Sequence, residues 1–330
     1  MLFLFDDVSK PLIFIFGLFL VITCSDSNNI TSNIKEVKDE NYYKRLLKND
    51  TLNAHLWNEL GKFYLVNNDK IKGGVCLEKS LMIDSSNFDV SFKLSEIYLK
   101  KGSLNKANLC LNNCIKLDAL QTQPYLNIAQ LFIFKSDYKS AFKYINSSLR
   151  INNYIPQAYF MKGVCYKHIK DTVKSLSSFK TAIEIDPNYL PSYNEIGLIL
   201  TTQNDSNSIY YYKNALNISS KNPEALFGLA WSYQTFGKKE LAIDKYEELL
   251  EVYPNYIDAK FNLGLLYLDL GNTLLSKKYF QEVILAQPKN IEAFYNLYKC
   301  STIEGDYRKA NEFKLLVVDL DSSFFKNIYK

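Results

Sequence analysis

Trp57-Asn58-Glu59-Leu60-Gly61-Lys62-Phe63-Tyr64 is the stretch on which the fold turns. It sets a bulky aromatic, an aliphatic, a residue without a side chain and a second aromatic at i, i+3, i+4 and i+7, which is one face of an α-helix. The pattern recurs down the chain. With Gly61 as the marker, the equivalents are Ser95, Ala129, Gly163, Gly197, Ala230, Gly264 and Tyr298, separated by 34, 34, 34, 34, 33, 34 and 34 residues. Leu226, Leu229, Ala230 and Tyr233 repeat the face, and Lys260, Leu263, Gly264 and Tyr267 repeat it again. The small residue has a physical purpose. Two helices cross there, and a longer side chain would hold their backbones apart.

The W-x₂-L-G-x₂-Y spacing and its period resemble the tetratricopeptide repeat. The resemblance implies an all-α, right-handed superhelical solenoid of about eight helix pairs, because such a pair buries its apolar side only against the next copy. Counting Trp57 as the fourth residue of its unit, the solenoid spans 54–324 with units 54–87, 88–121, 122–155, 156–189, 190–222, 223–256, 257–290 and 291–324. Second helices carry a small residue and, four later, a larger one: Ala107 with Leu111, Ala141 with Ile145, Ser175 with Phe179, Ala242 with Tyr246, Ser276 with Phe280, Ala310 with Lys314. Pro187, Pro254 and Pro288 fall at turns between units, where a missing N–H and a fixed φ end a helix. The fifth unit is one residue short, and its turn reads Asn204-Asp205-Ser206-Asn207-Ser208. An irregular pair with Tyr210 to Tyr212 repacked is expected there, and the superhelix should flex most at that unit. Tyr298 and Ser301 make the last unit atypical, as a terminal repeat should be.

Both ends look capped. Within residues 36–53, Asp39 to Lys48, with Tyr42, Tyr43, Leu46 and Leu47, aligns with the second helix of a degenerate earlier unit. Residues 325–330 form the opposite cap. Ser322 or Ser323 is placed to N-cap a short helix whose Phe324, Phe325, Ile328 and Tyr329 close the last core.

The N-terminus is a different segment. After Lys10 and Pro11 comes an uninterrupted apolar run, Leu12 to Ile22, of 11 residues. That length suits a signal-peptide core and falls short of the roughly 18–20 residues a spanning helix needs. The run ends in Val21-Ile22-Thr23-Cys24, which resembles a bacterial lipobox; residues 1–23 then read as a signal peptide and Cys24 as the lipidated residue. Residues 24–35 are polar and turn-prone, as a flexible tether is. The other reading is an uncleaved signal anchor with an ordinary apolar Cys24; both export the solenoid.

Lys and Arg total 39 against 35 acidic residues, without a basic run, which argues against nucleic acid held through its phosphates. Twenty-five Tyr and twenty-one Phe fall largely on buried positions of the repeat. Cys76, Cys110, Cys114, Cys165 and Cys300 are an odd set without framework spacing. Cys76 and Cys110 occupy equivalent places on neighbouring helices whose axes lie about 8–10 Å apart, beyond ordinary disulfide reach. Small core hydrophobes are the expected use. His55 and His168 have no nucleophile at helical spacing, and no phosphate loop, dinucleotide fingerprint or zinc-protease motif occurs. The expectation is a protein without catalysis, cofactor, metal or small-molecule substrate.

In proteins of the resembled family, first helices line a concave groove, and the fifth and ninth residues of each unit point into it. The fifth position here reads Asn58, Phe92, Leu126, Phe160, Asn194, Phe227, Phe261 and Tyr295. The ninth reads Lys62, Glu96, Gln130, Val164, Leu198, Trp231, Leu265 and Lys299. Phe92, Phe160, Phe227, Trp231, Phe261 and Tyr295 are the candidate groove residues, suited to a peptide or amphipathic helix. The competing use of the Phe side chains is packing against the next repeat. A carboxylate-clamp groove needs Lys fifth and Asn ninth in its first unit, the reverse of Asn58 and Lys62. An asparagine ladder needs Asn sixth in most units, and only Asn127, Asn262 and Asn296 supply it. Together these features point to a membrane-anchored scaffold or assembly factor of the cell envelope, facing the periplasm or cell surface and holding a protein partner. The alternatives are a regulatory subunit of an envelope enzyme such as a cell-wall hydrolase, and a signal-anchored or cytoplasmic repeat adaptor.

Overall fold

The structure, a computed structural model, describes residues 38–325. The signal peptide, tether and Cys24 expected at 1–35 lie outside the described residues, as do Ile328 and Tyr329. Described residues form 17 α-helices and no strand. α1 (Glu40–Asn49) is followed by eight pairs: α2 (Ala54–Val66) with α3 (Lys70–Ile83), α4 (Phe88–Lys100) with α5 (Leu104–Leu117), α6 (Thr122–Phe134) with α7 (Tyr138–Ile151), and α8 (Pro156–His168) with α9 (Thr172–Ile185). Then come α10 (Leu190–Thr202) with α11 (Ser208–Ile218), α12 (Pro223–Thr235) with α13 (Lys239–Val252), α14 (Ile257–Asp269) with α15 (Thr273–Ala286), and α16 (Ile291–Ile303) with α17 (Tyr307–Leu320). Each second helix also packs on the first helix of the next pair, so the chain is a right-handed superhelical solenoid.

One device joins the helices of every pair. The second residue past each first helix is left-handed: Asn68 (φ 61°), Gly102 (70°), Ser136 (58°), Lys170 (63°), Asn204 (56°), Gly237 (71°), Gly271 (77°) and Gly305 (76°). The N–H after it returns to a carbonyl five residues back, as from Asp69 to Tyr64 (2.8 Å) and from Asp306 to Ser301 (2.9 Å), closing the helix end. In five of the eight pairs that next residue then caps the second helix through its side chain. Asp69 accepts from the Lys72 N–H, Asp137 from Ser140, Asp171 from Lys174, Asn272 from Leu275 and Asp306 from Lys309. There one residue ends the first helix with its backbone N–H and starts the next with its side chain, which holds their crossing angle.

The core follows the small-residue rule. A Cβ on Gly163 would lie 2.5 Å from the Phe179 ring, and one on Gly264 would lie 2.8 Å from the Phe280 ring. Phe179 and Phe280 are fully buried there. Tyrosines tie units together: Tyr98 Oη donates to Glu78 Oε1 at 2.5 Å, and Tyr267 Oη to Glu247 Oε1 at 2.8 Å. The five cysteines from Cys76 onward are free and buried. Burial pushes the Cys114 thiol up to about 12 and that of Cys165 to about 11.

The fifth pair is irregular. Its turn runs over 203–207, five residues where the other pairs have three, and α11 is 11 residues long where the other second helices have 14. Tyr210 is exposed and Tyr211 leans on Tyr193, but Tyr212 is buried and wedges between two pairs. A Cβ on Gly197 would meet its ring at 2.8 Å, and one on Gly228, in the next pair, at 2.2 Å. Beside it lies a buried hydroxyl chain: Thr201 Oγ1 sits 2.8 Å from Ser232 Oγ, and Ser208 Oγ donates to Ser232 Oγ at 3.1 Å.

At the N-terminal end α1 presents Tyr43 and Leu47 to α2, with Asp39 capping through the Tyr42 N–H. At the far end Phe324 and Phe325 pack over Tyr295 and Tyr298. The turn that delivers them is held by Asp321, which accepts from the Ser323 N–H (2.8 Å) and hydroxyl (2.7 Å). An aspartate accepts backbone N–H bonds as readily as a serine, and it stands first in the turn.

Candidate partner-binding groove

The curvature can be read from which helices meet. First helices of successive pairs touch directly (α6 with α8, α10 with α12, α14 with α16), while second helices approach only their own and the following first helix to that degree. A stack whose first helices converge and whose second helices fan out is concave on the first-helix side.

All six sequence-predicted groove residues are half-buried. Phe160, Phe227 and Phe261 each lean on the buried aromatic of their own second helix, with centroids 5.5 Å to Phe179, 5.6 Å to Tyr246 and 5.5 Å to Phe280. Phe160 also meets Tyr189, and Phe227 stacks on Tyr256 at 5.4 Å. These rings therefore belong partly to the core, with one edge left to the groove. Tyr295 sits beneath the Phe324 and Phe325 cap, at the closed end of the groove.

Two clefts open between first helices. One, of about 560 Å³, lies between α2 and α4 and is lined by Asn58, Lys62, Leu65, Val66, Phe92, Lys93 and Glu96, among others. Lys62 there pairs with Glu59 and Lys93 with Glu96, both at 2.9 Å. The other, of about 240 Å³, lies between α10 and α12 and unites Phe227 and Trp231 with Leu198, Asn194, Glu195, Glu224 and Tyr256. The structure thus brings Phe227 and Trp231 into one cleft and leaves Phe92, Phe160, Phe261 and Tyr295 apart from it.

Sequence reasoning missed Asn194, Glu195, Glu224 and Tyr256 as neighbours of Trp231. Asn194 stood at a groove position without an aromatic, and no signal in its own unit announces that its Nδ2 donates to Asn222 Oδ1, 28 residues on, at 3.1 Å. Asn222 is the N-cap of α12, accepting from the Ala225 N–H at 2.8 Å, and its Nδ2 donates to Glu224 at 2.8 Å. Glu195 takes Lys167 of α8 at 2.6 Å. Burial first, then the carboxylates of Asp258 and Glu224, raise the Tyr256 phenol above its ordinary value.

The histidines stand away from any such cluster. His55 is exposed and His168 stacks on Tyr138, ring centroids 5.2 Å apart. Among the described residues no three His, Cys, Asp or Glu side chains converge as metal ligands would, and no helix is long and apolar enough to cross a membrane.

A search of curated proteins finds no match. Solved structures with the same fold include the C-terminal part of a TPR repeat-containing protein from Cytophaga hutchinsonii (18% identity, 70% of this chain and 96% of that one, TM-score 0.57). PilW, described as a widely conserved type IV pilus biogenesis factor, matches at 19% identity over 60% of this chain and 92% of its own (TM-score 0.54). The Cut9–Hcn1 hetero-tetramer of APC/C matches at 15% identity over 79% and 52% (TM-score 0.59). At these identities the likeness is one of fold. Family models described as tetratricopeptide repeat match residues 88–119, 156–189, 224–256 and 257–290, so these four stretches of the chain are recognised as tetratricopeptide repeats.

Proposed function

We propose that this solenoid is a non-enzymatic interaction scaffold that holds a segment of another protein in its concave groove. One observation carries the reading: Phe227 and Trp231 share a cleft between α10 and α12 in which both remain half-exposed on the inner face. Aromatic side chains in a partly formed pocket supply large contact area at small entropic cost, the usual character of binding hot spots. The rigid stack contributes preorganisation, so ordering costs fall mainly on the partner.

The chain acts at a membrane surface in this reading, exported by residues 1–23 and held by lipid on Cys24. Two or more acyl chains anchor a protein stably where one does not. Mass spectrometry of the mature N-terminus checks the anchor; an intact Met1 or an unmodified Cys24 removes it. The groove is tested by affinity capture from detergent-solubilised membranes. Phe227→Ala with Trp231→Ala should lose the partner, by about 2 kcal/mol or more of binding energy, with helicity unchanged. Val173, exposed on the second helix α9, gives the control: Val173→Ala should capture as wild type does. Retained capture by the groove variant would move the binding face elsewhere.

A further inference from the structure

The cleft beside Trp231 has a polar character that a peptide groove in general does not require. Its wall is aromatic, with Phe227, Trp231 and Tyr256, and its charged lining residues are both acidic, Glu195 and Glu224. Among the described residues, the cation bonded there is Lys167, which reaches Glu195 from α8 and is not part of the lining. The floor is polarised by a chain of amides. Asn222 Oδ1 must face the Ala225 N–H, because it caps α12, so its Nδ2 points to Glu224 and its oxygen also receives Asn194 Nδ2. Asn194 cannot exchange its oxygen and nitrogen without setting two carbonyl oxygens against each other. Its Oδ1 is consequently left buried without a hydrogen-bond partner. An unmatched buried acceptor is costly and uncommon, and its lone pairs add to the negative potential of the floor.

We infer that this cleft receives a cationic side chain, an arginine of the bound partner, with its guanidinium against the Trp231 and Tyr256 rings and its N–H groups toward Glu224. Guanidinium has five donors and no acceptor, and it stacks on aromatic faces while pairing with carboxylates. A neutral side chain lacks the charge that Glu224 selects, and an acidic one is repelled by it. The indole N–H of Trp231 remains for a backbone carbonyl of the same peptide. This inference rests on the groove reading above and names the chemistry of its ligand.

The test uses the full chain in detergent carrying Trp57→Phe, which leaves Trp231 as the sole indole. Its emission is titrated, to millimolar concentration, with acetyl-Ala-Leu-Arg-Leu-Ala-amide and with the same peptide bearing citrulline or glutamate in place of arginine. The arginine peptide should give a saturable change at least about tenfold tighter than citrulline, weakened by salt, and the glutamate peptide none. Glu224→Gln, at an exposed position, should reduce the arginine preference to within about twofold while citrulline binding stays the same. Equal response to arginine and citrulline, or an unchanged preference in Glu224→Gln, overturns the inference and leaves the groove reading standing. No response to any of the three peptides overturns it as well, and the capture experiment then decides the groove by itself.

Discussion

At the residue scale, two kinds of position carry opposite strains. Ser136 and Lys170 hold φ values of 58° and 63° where Gly102, Gly237, Gly271 and Gly305 do the same in other units. A side chain in that region costs about 1–2 kcal/mol relative to the ordinary helical one, and glycine avoids it. Ser136→Gly and Lys170→Gly should each stabilise the chain by about 1 kcal/mol in denaturant unfolding. An unchanged or lower midpoint would show that the side chains make compensating contacts. Gly228 is the reverse case, since any Cβ there meets the buried Tyr212 ring at 2.2 Å. Gly228→Ala should destabilise by about 1–3 kcal/mol, because neither ring nor backbone has room to move. Adding Tyr212→Leu should recover part of that loss, giving a non-additive cycle. Additive costs would mean that the two positions do not meet. The 34-residue marker flagged Gly197 as small, but not Gly228, whose need arises from a ring in the preceding unit.

At the scale of elements, the shared cap is the joint. Asp69 and Asp306 have carboxyls held below their ordinary value chiefly by backbone N–H groups at the helix start. In Asp137 the Ser140 hydroxyl comes first, and in Asp171 the Lys174 ammonium. A lowered native value means that the unfolded chain takes up protons first as pH falls. The stabilisation is therefore complete above the ordinary value of about 3.9 and is lost as pH drops through the native one. Asp137→Ala should lower the melting temperature at neutral pH, and the gap from wild type should narrow below that value. A gap independent of pH would assign the effect to something other than the carboxylate. The sequence marked the fifth turn as irregular through its one-residue deficit, and α11 duly lost its opening turn. What replaced that turn, a tyrosine wedge and three hydroxyls bonded across units, depends on the neighbour's geometry and left no local pattern.

For the whole molecule, tyrosines buried along the stack set its behaviour in alkali. Burial, then the Glu40 carboxylate, pushes the Tyr64 phenol up to about 12. Tyr98 and Tyr267 are raised by burial and by their Glu78 and Glu247 partners, and Tyr212 and Tyr246 by burial. With native values above the unfolded value near 10, this stabilisation is complete below about pH 10 and is lost as pH rises toward 12. Helicity should therefore fall in step with tyrosine ionisation followed by ultraviolet absorbance, beginning above pH 10. Ionisation at ordinary pH with helicity intact would show that the phenols are open to water. Because the affected side chains lie from α2 to α14, the loss should spread along a one-dimensional stack and not stop at one end.

The sequence by itself determined that the chain is a series of helix pairs, where the small residues fall, and which unit is out of step. Those properties follow from helical spacing within a unit, and repetition states them eight times. Only the tertiary structure decided that Phe160, Phe227 and Phe261 lend a face to their own second helices, and that Tyr212 fills a space made by Gly228. It alone joined Asn194 to Asn222 and left an unmatched oxygen beside Trp231. Each of these depends on the angle between neighbouring pairs, which side-chain volumes across the interface set jointly and no single unit encodes.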